Sequence, residues 1–220
     1  ARLREAVLDV PTGMPPMDEA LRVAVGVEGR RGRRWRPLFT LAAAEAVGGC
    51  IEDALDAAVA VELTHTASLV LDDMPCMDDS AKRRGEPATH RLVGSAGAIL
   101  VAVGLLARSA EYLGRSRGGD VLAREWGDVF GFSGMAGGQA IDVATGGRCT
   151  GAARRLYRRK TTALAAFALT AGGRAAGADA RTVDALWRIG NDVGWAYQLV
   201  DDAEDLAEDR AAGRQPGGRN

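Results

Sequence analysis

Two apolar stretches of this chain each run without a break into a cluster of carboxylates. VELTHTASLVL leads into Asp72-Asp73-Met74-Pro75-Cys76-Met77-Asp78-Asp79, and VGWAYQLV leads into Asp201-Asp202-Ala203-Glu204-Asp205. An apolar helix has to be buried, yet an unpaired buried charge is strongly penalised. Both demands are met if the two helices end at a place where something neutralises the carboxylates. Hard divalent cations do this, and Mg2+ in particular binds through one or two carboxylates together with substrate phosphates. Two such helix ends facing one another make a cage for a diphosphate.

The first cluster has an awkward spacing. Asp72 and Asp78 are six residues apart, roughly 240° around a regular helix, so an unbroken helix cannot aim both at one ion. Pro75 lies between them and interrupts the helix, which allows Asp78 to swing back toward Asp72. Asp201 and Asp205 stand at i and i+4 and already share a face. A solvated acidic helix end accounts for one such cluster; it accounts poorly for two, each behind an apolar helix.

Cationic groups supply the complementary half of an anion site. The loop Gly32-Arg33-Arg34-Trp35-Arg36-Pro37 offers guanidinium groups that grip phosphate bidentately. Lys82-Arg83-Arg84-Gly85 follows the first acidic cluster closely, and Lys160-Thr161 pairs an ammonium with a hydroxyl inside a helical stretch. His65 lies about two turns before Asp72 and so on the same side of its helix. Arg154, Arg155, Arg158 and Arg159 read as a solvated basic face.

Helical periodicity recurs throughout, with Gly and Pro at the breaks. It predicts helices over 17–26, 37–49, 53–74, 95–114, 121–146, 152–173 and 182–209, and no strand pattern competes. The class is all-α, and residues 1–220 read as a single domain. Hydrophobic residues make up 47% and are dominated by Ala, whereas aromatics are only 5%, a bias that favours helix. The 28 basic and 29 acidic residues nearly cancel, so bulk charge points to no nucleic-acid partner. Cys50, Cys76 and Cys149 form no CxxC pair, which fits reduced thiols and a cytoplasmic location. No uninterrupted apolar run approaches the ~20 residues that span a bilayer, so no transmembrane segment is expected. The first residue is Ala and the end is polar and Gly-rich, as in a fragment of a longer chain.

Taken together these segments resemble the trans-isoprenyl diphosphate synthases, the polyprenyl synthetase family. GRRWRP resembles the family's GKxxRP, DDMPCMD its first aspartate-rich motif, and RRGEPATH the segment that follows. GGQAID resembles GQxxD, Lys160-Thr161 the KT pair, and YQLVDDAED the second aspartate-rich motif. The order is the family's own. The wording HTASLVLDDMPCMDD is most similar to bacterial geranylgeranyl diphosphate synthases.

The resemblance implies an isoprenoid synthase helical bundle around a deep central cavity, as a homodimer, with three Mg2+ ions and no organic cofactor. The substrates it implies are isopentenyl diphosphate and an allylic diphosphate. Asp72, Asp73 and Asp78 would hold Mg2+ and the allylic diphosphate, and Asp201, Asp202 and Asp205 the remaining metal. Arg83, Lys160, Thr161 and Gln198 would contact the allylic substrate. Arg33, Arg36, His65 and Arg84 would bind isopentenyl diphosphate, with Arg214 in the place of a further family Lys. The catalytic set it implies is Asp72, Asp73, Asp78, Arg83, Lys160, Asp201 and Asp202. The family's chain-length gate falls on Ala67, beside Ser68, and small residues there favour a twenty-carbon product made from farnesyl diphosphate or shorter primers.

Arg33 and Arg214 stand where the family has Lys. Family members also continue for several helices past the second aspartate cluster, so this chain is expected to lack its C-terminal helices. Farnesyl or longer-chain polyprenyl synthases are the near alternatives. A terpene cyclase would not need the GRRWRP and RRG elements, and a non-catalytic partner subunit would be expected to lose metal ligands, which are intact here.

Overall fold

The computed structural model describes residues 2–8, 12–29, 32–145 and 151–211, with residues 8, 152–154, 156–157, 201–202 and 204–211 described as backbone alone. Its helices are α1 (Arg2–Leu8), α2 (Pro15–Val25), α3 (Trp35–Ala46), α4 (Ile51–Asp72), α5 (Thr89–Arg115), α6 (Gly119–Phe130), α7 (Met135–Thr145), α8 (Gly151–Ala175) and α9 (Ala180–Ala211). The all-α expectation holds.

α4 and α8 form the centre. α4 is apolar almost all round, the pattern of a helix surrounded by protein, and it is buried nearly continuously from Ala57 to Ala67. α8 is buried without interruption from Thr162 to Gly173 and packs against α3, α4, α6, α7 and α9. Small side chains make this possible. A Cβ on Gly190 or Gly194 of α9 would run into the backbone of Ala166 or Thr162 on α8, and one on Gly172 would run into Thr40 on α3. Glycine at these points lets the helices approach backbone to backbone, which brings Gln198 of α9 close to Lys160 and Thr161 of α8.

Several local expectations are corrected. The segment 121–146 is two helices rather than one, broken by Gly131-Phe132-Ser133-Gly134; a Cβ on Gly134 would collide with the Val129 carbonyl. α3 begins at Trp35, two residues before Pro37, because proline is tolerated throughout a first helical turn. α5 starts at Thr89 and kinks at Gly94, whose φ of 72° and ψ of 171° leave the helical region. A strand pair does occur: Lys82–Arg83 (β1) pairs antiparallel with Glu86–Pro87 (β2). Its two-residue turn, Arg84-Gly85, has both φ angles positive, at 55° and 85°, the geometry of the hairpin turn that matches strand twist.

The expected lack of a long apolar segment also needs amending. α4 and α5 are both long and apolar enough to span a bilayer by length and composition. The apolar window of α4 is 67% buried inside the protein, as befits a core helix, whereas that of α5 is only 33% buried. Ile99, Leu100 and Val103 of α5 stand exposed.

Candidate functional site

α4 ends at Asp72, and the chain then folds back on itself. The Asp78 amide donates to the Asp72 carbonyl at 2.9 Å, and the Asp79 amide to that of Met74 at 3.0 Å. Pro75 therefore does what its spacing suggested, since Asp78 returns to the end of the helix that carries Asp72. The two carboxylates repel one another. Burial first, then the charge of Asp78, pushes the Asp72 carboxyl up to about 6, against the pull of Lys160 and Arg83. A carboxylate left in that state is a good receptor for a cation.

Asp73 has a different environment. Its side chain is 3% exposed and receives the Arg83 guanidinium, with Nε 3.0 Å from both carboxylate oxygens and Nη2 on Oδ1. The bond to Asp73 is the main reason that Arg83 holds its proton more firmly than an ordinary arginine. Neither Asp73 nor Asp78 is among the residues that line the cavity described below; consecutive residues on a helix point about 100° apart, and Asp73 turns toward β1. It anchors Arg83.

A cavity of about 1000 Å³ opens between α3, α4, α7, α8 and α9. Of the residues singled out from sequence, Arg33, Arg36, His65, Ser68, Asp72, Arg83, Arg84, Lys160, Thr161 and Gln198 line it. Three separate segments thus deliver their cations to one space. Ala67 does not line it. It is fully buried in the hydrophobic core, one helical step away from Ser68, which does face the cavity. The side chains of Asp201, Asp202 and Asp205, and all of Arg214, lie outside the described residues, although 201–205 fall within the helical span of α9.

Arg34, Glu62, Trp35 and Tyr197 also line the cavity and carried no separable signal in the sequence. Arg34 forms an ion pair with Glu62, whose side chain is 2% exposed, and also donates to the carbonyls of Val25 and Gly26. Trp35 packs on Tyr197 with ring centroids 5.3 Å apart, tying the arginine loop to α9. Lys160 Nζ is held 2.8 Å from Oδ2 of Asp142, a buried residue of the GGQAID segment. Gln139 and Gln198 both line the cavity with buried amide oxygens that find no partner among the described residues. Buried acceptors are rarely left so.

His65 is neutral. Burial first, then Arg36 and the other nearby guanidinium groups, holds its imidazole well below the usual histidine range. Its Nε2 lies 3.1 Å from Nη1 of Arg36, and since a guanidinium has only donors, this nitrogen accepts. Arg84 is likewise disfavoured in its charged form by burial, with Arg34 and Arg83 adding to the strain. Cations crowded in this way gain most when an anion arrives.

Gly32 controls where Arg84 sits. A Cβ there would come within 2.6 Å of the Arg84 guanidinium carbon. Because a flexible side-chain end can give way, Gly32→Ala should fold normally but displace that guanidinium. The expected outcome is about tenfold weaker binding of inorganic pyrophosphate, the scale of one charge-assisted hydrogen bond. Titration calorimetry with unchanged thermal stability checks it.

Among the described residues no three His, Cys, Asp or Glu side chains form a metal cluster. Asp72 and Asp78 instead offer the small carboxylate set that Mg2+ takes when phosphate oxygens complete its shell, and the raised Asp72 carboxyl fits that use.

Comparison with known proteins places these features in context. Residues 18–218 match the polyprenyl synthetase family. The chain is 36% identical over 190 residues to a chloroplastic geranylgeranyl pyrophosphate synthase of Capsicum annuum, covering 80% of this chain and 50% of that protein. It is 35% identical over 184 residues to the farnesyl diphosphate synthase of Bacillus subtilis, covering 80% and 62% respectively. The chain thus spans about half to three fifths of the length of these relatives. Among solved structures, the geranyltranstransferase of Thermotoga maritima superposes with a TM-score of 0.81 at 32% identity, covering 94% of this chain and 76% of that one. An FPP/GFPP synthase of Zymomonas mobilis gives 0.81 at 34%, covering 98% and 78%.

Proposed function

The chain belongs to the polyprenyl synthetase family, and we propose that it is a Mg2+-dependent prenyltransferase condensing isopentenyl diphosphate with an allylic diphosphate. The observation that carries this reading is the single cavity into which three segments bring Arg33, Arg36, Arg83, Arg84 and Lys160, with Asp72 at the same wall. Two diphosphates need such an excess of cationic groups.

In this reading Arg83, anchored on Asp73, and Lys160, anchored on Asp142, grip the allylic diphosphate. Arg33, Arg36 and Arg84 hold isopentenyl diphosphate beside it, with neutral His65 fixing Arg36. Up to three Mg2+ ions, held by Asp72, Asp73, Asp78 and the cluster Asp201, Asp202 and Asp205, would neutralise charge on the departing diphosphate. The cationic side chains stabilise the same developing charge as the allylic C–O bond opens. The alkene of isopentenyl diphosphate is held in place to attack the resulting cation, so positioning removes much of the entropic barrier. The amide oxygens of Gln139 and Gln198 and the Thr161 hydroxyl face this space and can calm a cation without trapping it. Proton loss to the released diphosphate completes a product five carbons longer. No organic cofactor enters.

Ser68, a small residue at the cavity wall, and the geranylgeranyl synthases among the relatives support a twenty-carbon product, formed in the cytoplasm by one domain acting as a homodimer. The exposed apolar face of α5 at Ile99, Leu100 and Val103 supports the second copy, and sedimentation at two concentrations tests it. The function itself is tested with Mg2+, farnesyl diphosphate and labelled isopentenyl diphosphate, then with farnesyl diphosphate alone. A longer labelled diphosphate in the first supports the synthase, a hydrocarbon in the second a cyclase, and inertness in both a non-catalytic partner subunit.

A further inference from the structure

Arg34, Arg83 and Lys160 are each held by a carboxylate, that of Glu62, Asp73 and Asp142 in turn. Such a partner fixes a cationic side chain but also offsets part of its charge. Arg36 is gripped by neutral groups as well. It is 9% exposed, and its guanidinium carbon lies 4.1 Å from the centroid of the Trp35 ring. Its Nη1 meets Nε2 of neutral His65 at 3.1 Å. An indole face and an uncharged imidazole fix the plane of a guanidinium without neutralising it.

The contact is an unusual one, because consecutive residues on a helix point about 100° apart. At the first turn of α3 the Arg36 side chain folds back over the ring of the residue before it, so the ring has to be held for the guanidinium to be held. Two aromatic neighbours do this. Phe39, one turn along α3, meets the indole edge-on at 5.2 Å and 69°, and Tyr197 of α9 packs on it at 5.3 Å and 31°. Tilted and edge-on arrangements are those that aromatic pairs prefer. Phe39 is seated in turn on Ala43, Leu169 and Leu186. A continuous row of contacts thus runs from Tyr197 on α9 through Trp35 and Arg36 to His65 on α4, and all four residues line the cavity.

We propose that Trp35 is a positioning residue for isopentenyl diphosphate: its ring, wedged between Phe39 and Tyr197, sets the plane in which Arg36 meets the diphosphate. This rests on the prenyltransferase reading and gives a task within it to the aromatic residue that stands among the arginines. A guanidinium grips phosphate through two parallel N–H bonds, so the angle of its plane decides whether both can form. Trp35 acts through Arg36 and its grip falls on one substrate alone. The allylic diphosphate, held by Arg83 and Lys160, does not depend on it.

The test compares wild type, Trp35→Leu and Trp35→Phe, each with Mg2+, farnesyl diphosphate and labelled isopentenyl diphosphate. Trp35→Leu keeps an apolar side chain and removes the π face. It is expected to raise KM for isopentenyl diphosphate by about tenfold, the scale of a partly desolvated cation–π contact. Both kcat and KM for farnesyl diphosphate should stay within about twofold, the pattern of a lost binding contact to one substrate. Trp35→Phe restores a face and should recover most of the loss. Fluorinated tryptophans placed at position 35 alone keep the shape of the ring while withdrawing charge from its face, and they decide the matter if Trp35→Leu does not fold. KM for isopentenyl diphosphate should then rise stepwise with each added fluorine. A flat series, or equal rises in the two KM values, overturns the positioning role and leaves prenyl transfer standing. If wild type itself forms no longer diphosphate, the prenyltransferase reading fails and the role of Trp35 with it.

Discussion

Asp72→Asn is expected to slow prenyl transfer by about a hundred- to a thousandfold, the usual loss when an electrostatic stabiliser of a developing charge, here the Mg2+ that Asp72 would hold, is weakened, and yet to make the metal-free protein more stable at pH 7. The opposite signs share one cause. In the folded chain the Asp72 carboxyl titrates at about 6, raised chiefly by burial, whereas unfolded it titrates near 3.8. Between those values the folded state keeps a proton that the unfolded state releases, so stability falls as pH rises through this window and stays low above it. Asparagine has no such proton to lose. The whole shift corresponds to roughly 3 kcal/mol at 1.36 kcal/mol per unit, and partial exposure of Asp72 reduces the expected gain to on the order of 1–2 kcal/mol. In EDTA at pH 7 the variant should melt several degrees higher, at about 2–4 °C per kcal/mol for a chain of this size. At pH 4 the advantage should vanish. Adding Mg2+ with pyrophosphate should reverse the order, raising the melting temperature of wild type well above that of the variant. A variant that melts lower than wild type in EDTA at pH 7 would show that Asp72 is not held under strain.

This pairing of activity with strain was partly legible in the sequence. The fold class followed from Ala-rich helical periodicity, and the return of Asp78 to Asp72 from a single proline, because both are local effects. The partner of Asp73 was not local. Arg83 reaches it through a hairpin of two-residue strands, too short to show alternation, with Arg84-Gly85 at the turn in place of the more recognisable Asn-Gly. Ala67 and Ser68 illustrate a second limit. In a helix buried nearly all round, periodicity cannot say which face meets a cavity and which meets a neighbouring helix, and a one-residue error rotates the side chain by about 100°. The break at Gly131–Gly134 was marked by its two glycines, but an isolated glycine is tolerated inside a helix, and the collision at Gly134 shows why no side chain fits there.

The arginine loop shows the third limit and carries the other large effect. Arg33, Arg34 and Arg36 look alike in sequence, yet their fates differ. Arg34 adopts a left-handed backbone, with φ of 54°, that sends its guanidinium inward to Glu62 and the carbonyls of Val25 and Gly26. Glu62 has almost no access to water, so Arg34→Ala leaves a buried carboxylate without its main partner. Breaking such a pair typically costs 3–5 kcal/mol, and the expected loss lies toward the lower end because Arg84 also feels the charge of Glu62. A fall in melting temperature of roughly 10 °C follows at 2–4 °C per kcal/mol. If Arg84 turns inward to compensate, pyrophosphate binding should weaken as well. The paired change Arg34→Met with Glu62→Leu removes both charges, and replacing a whole buried pair by apolar groups of similar size is often neutral. It should recover most of the lost stability and return Arg84 to the cavity, restoring pyrophosphate affinity. Equal destabilisation by the single and paired changes would mean that Arg34 acts through its backbone geometry at the head of α3 and not through Glu62.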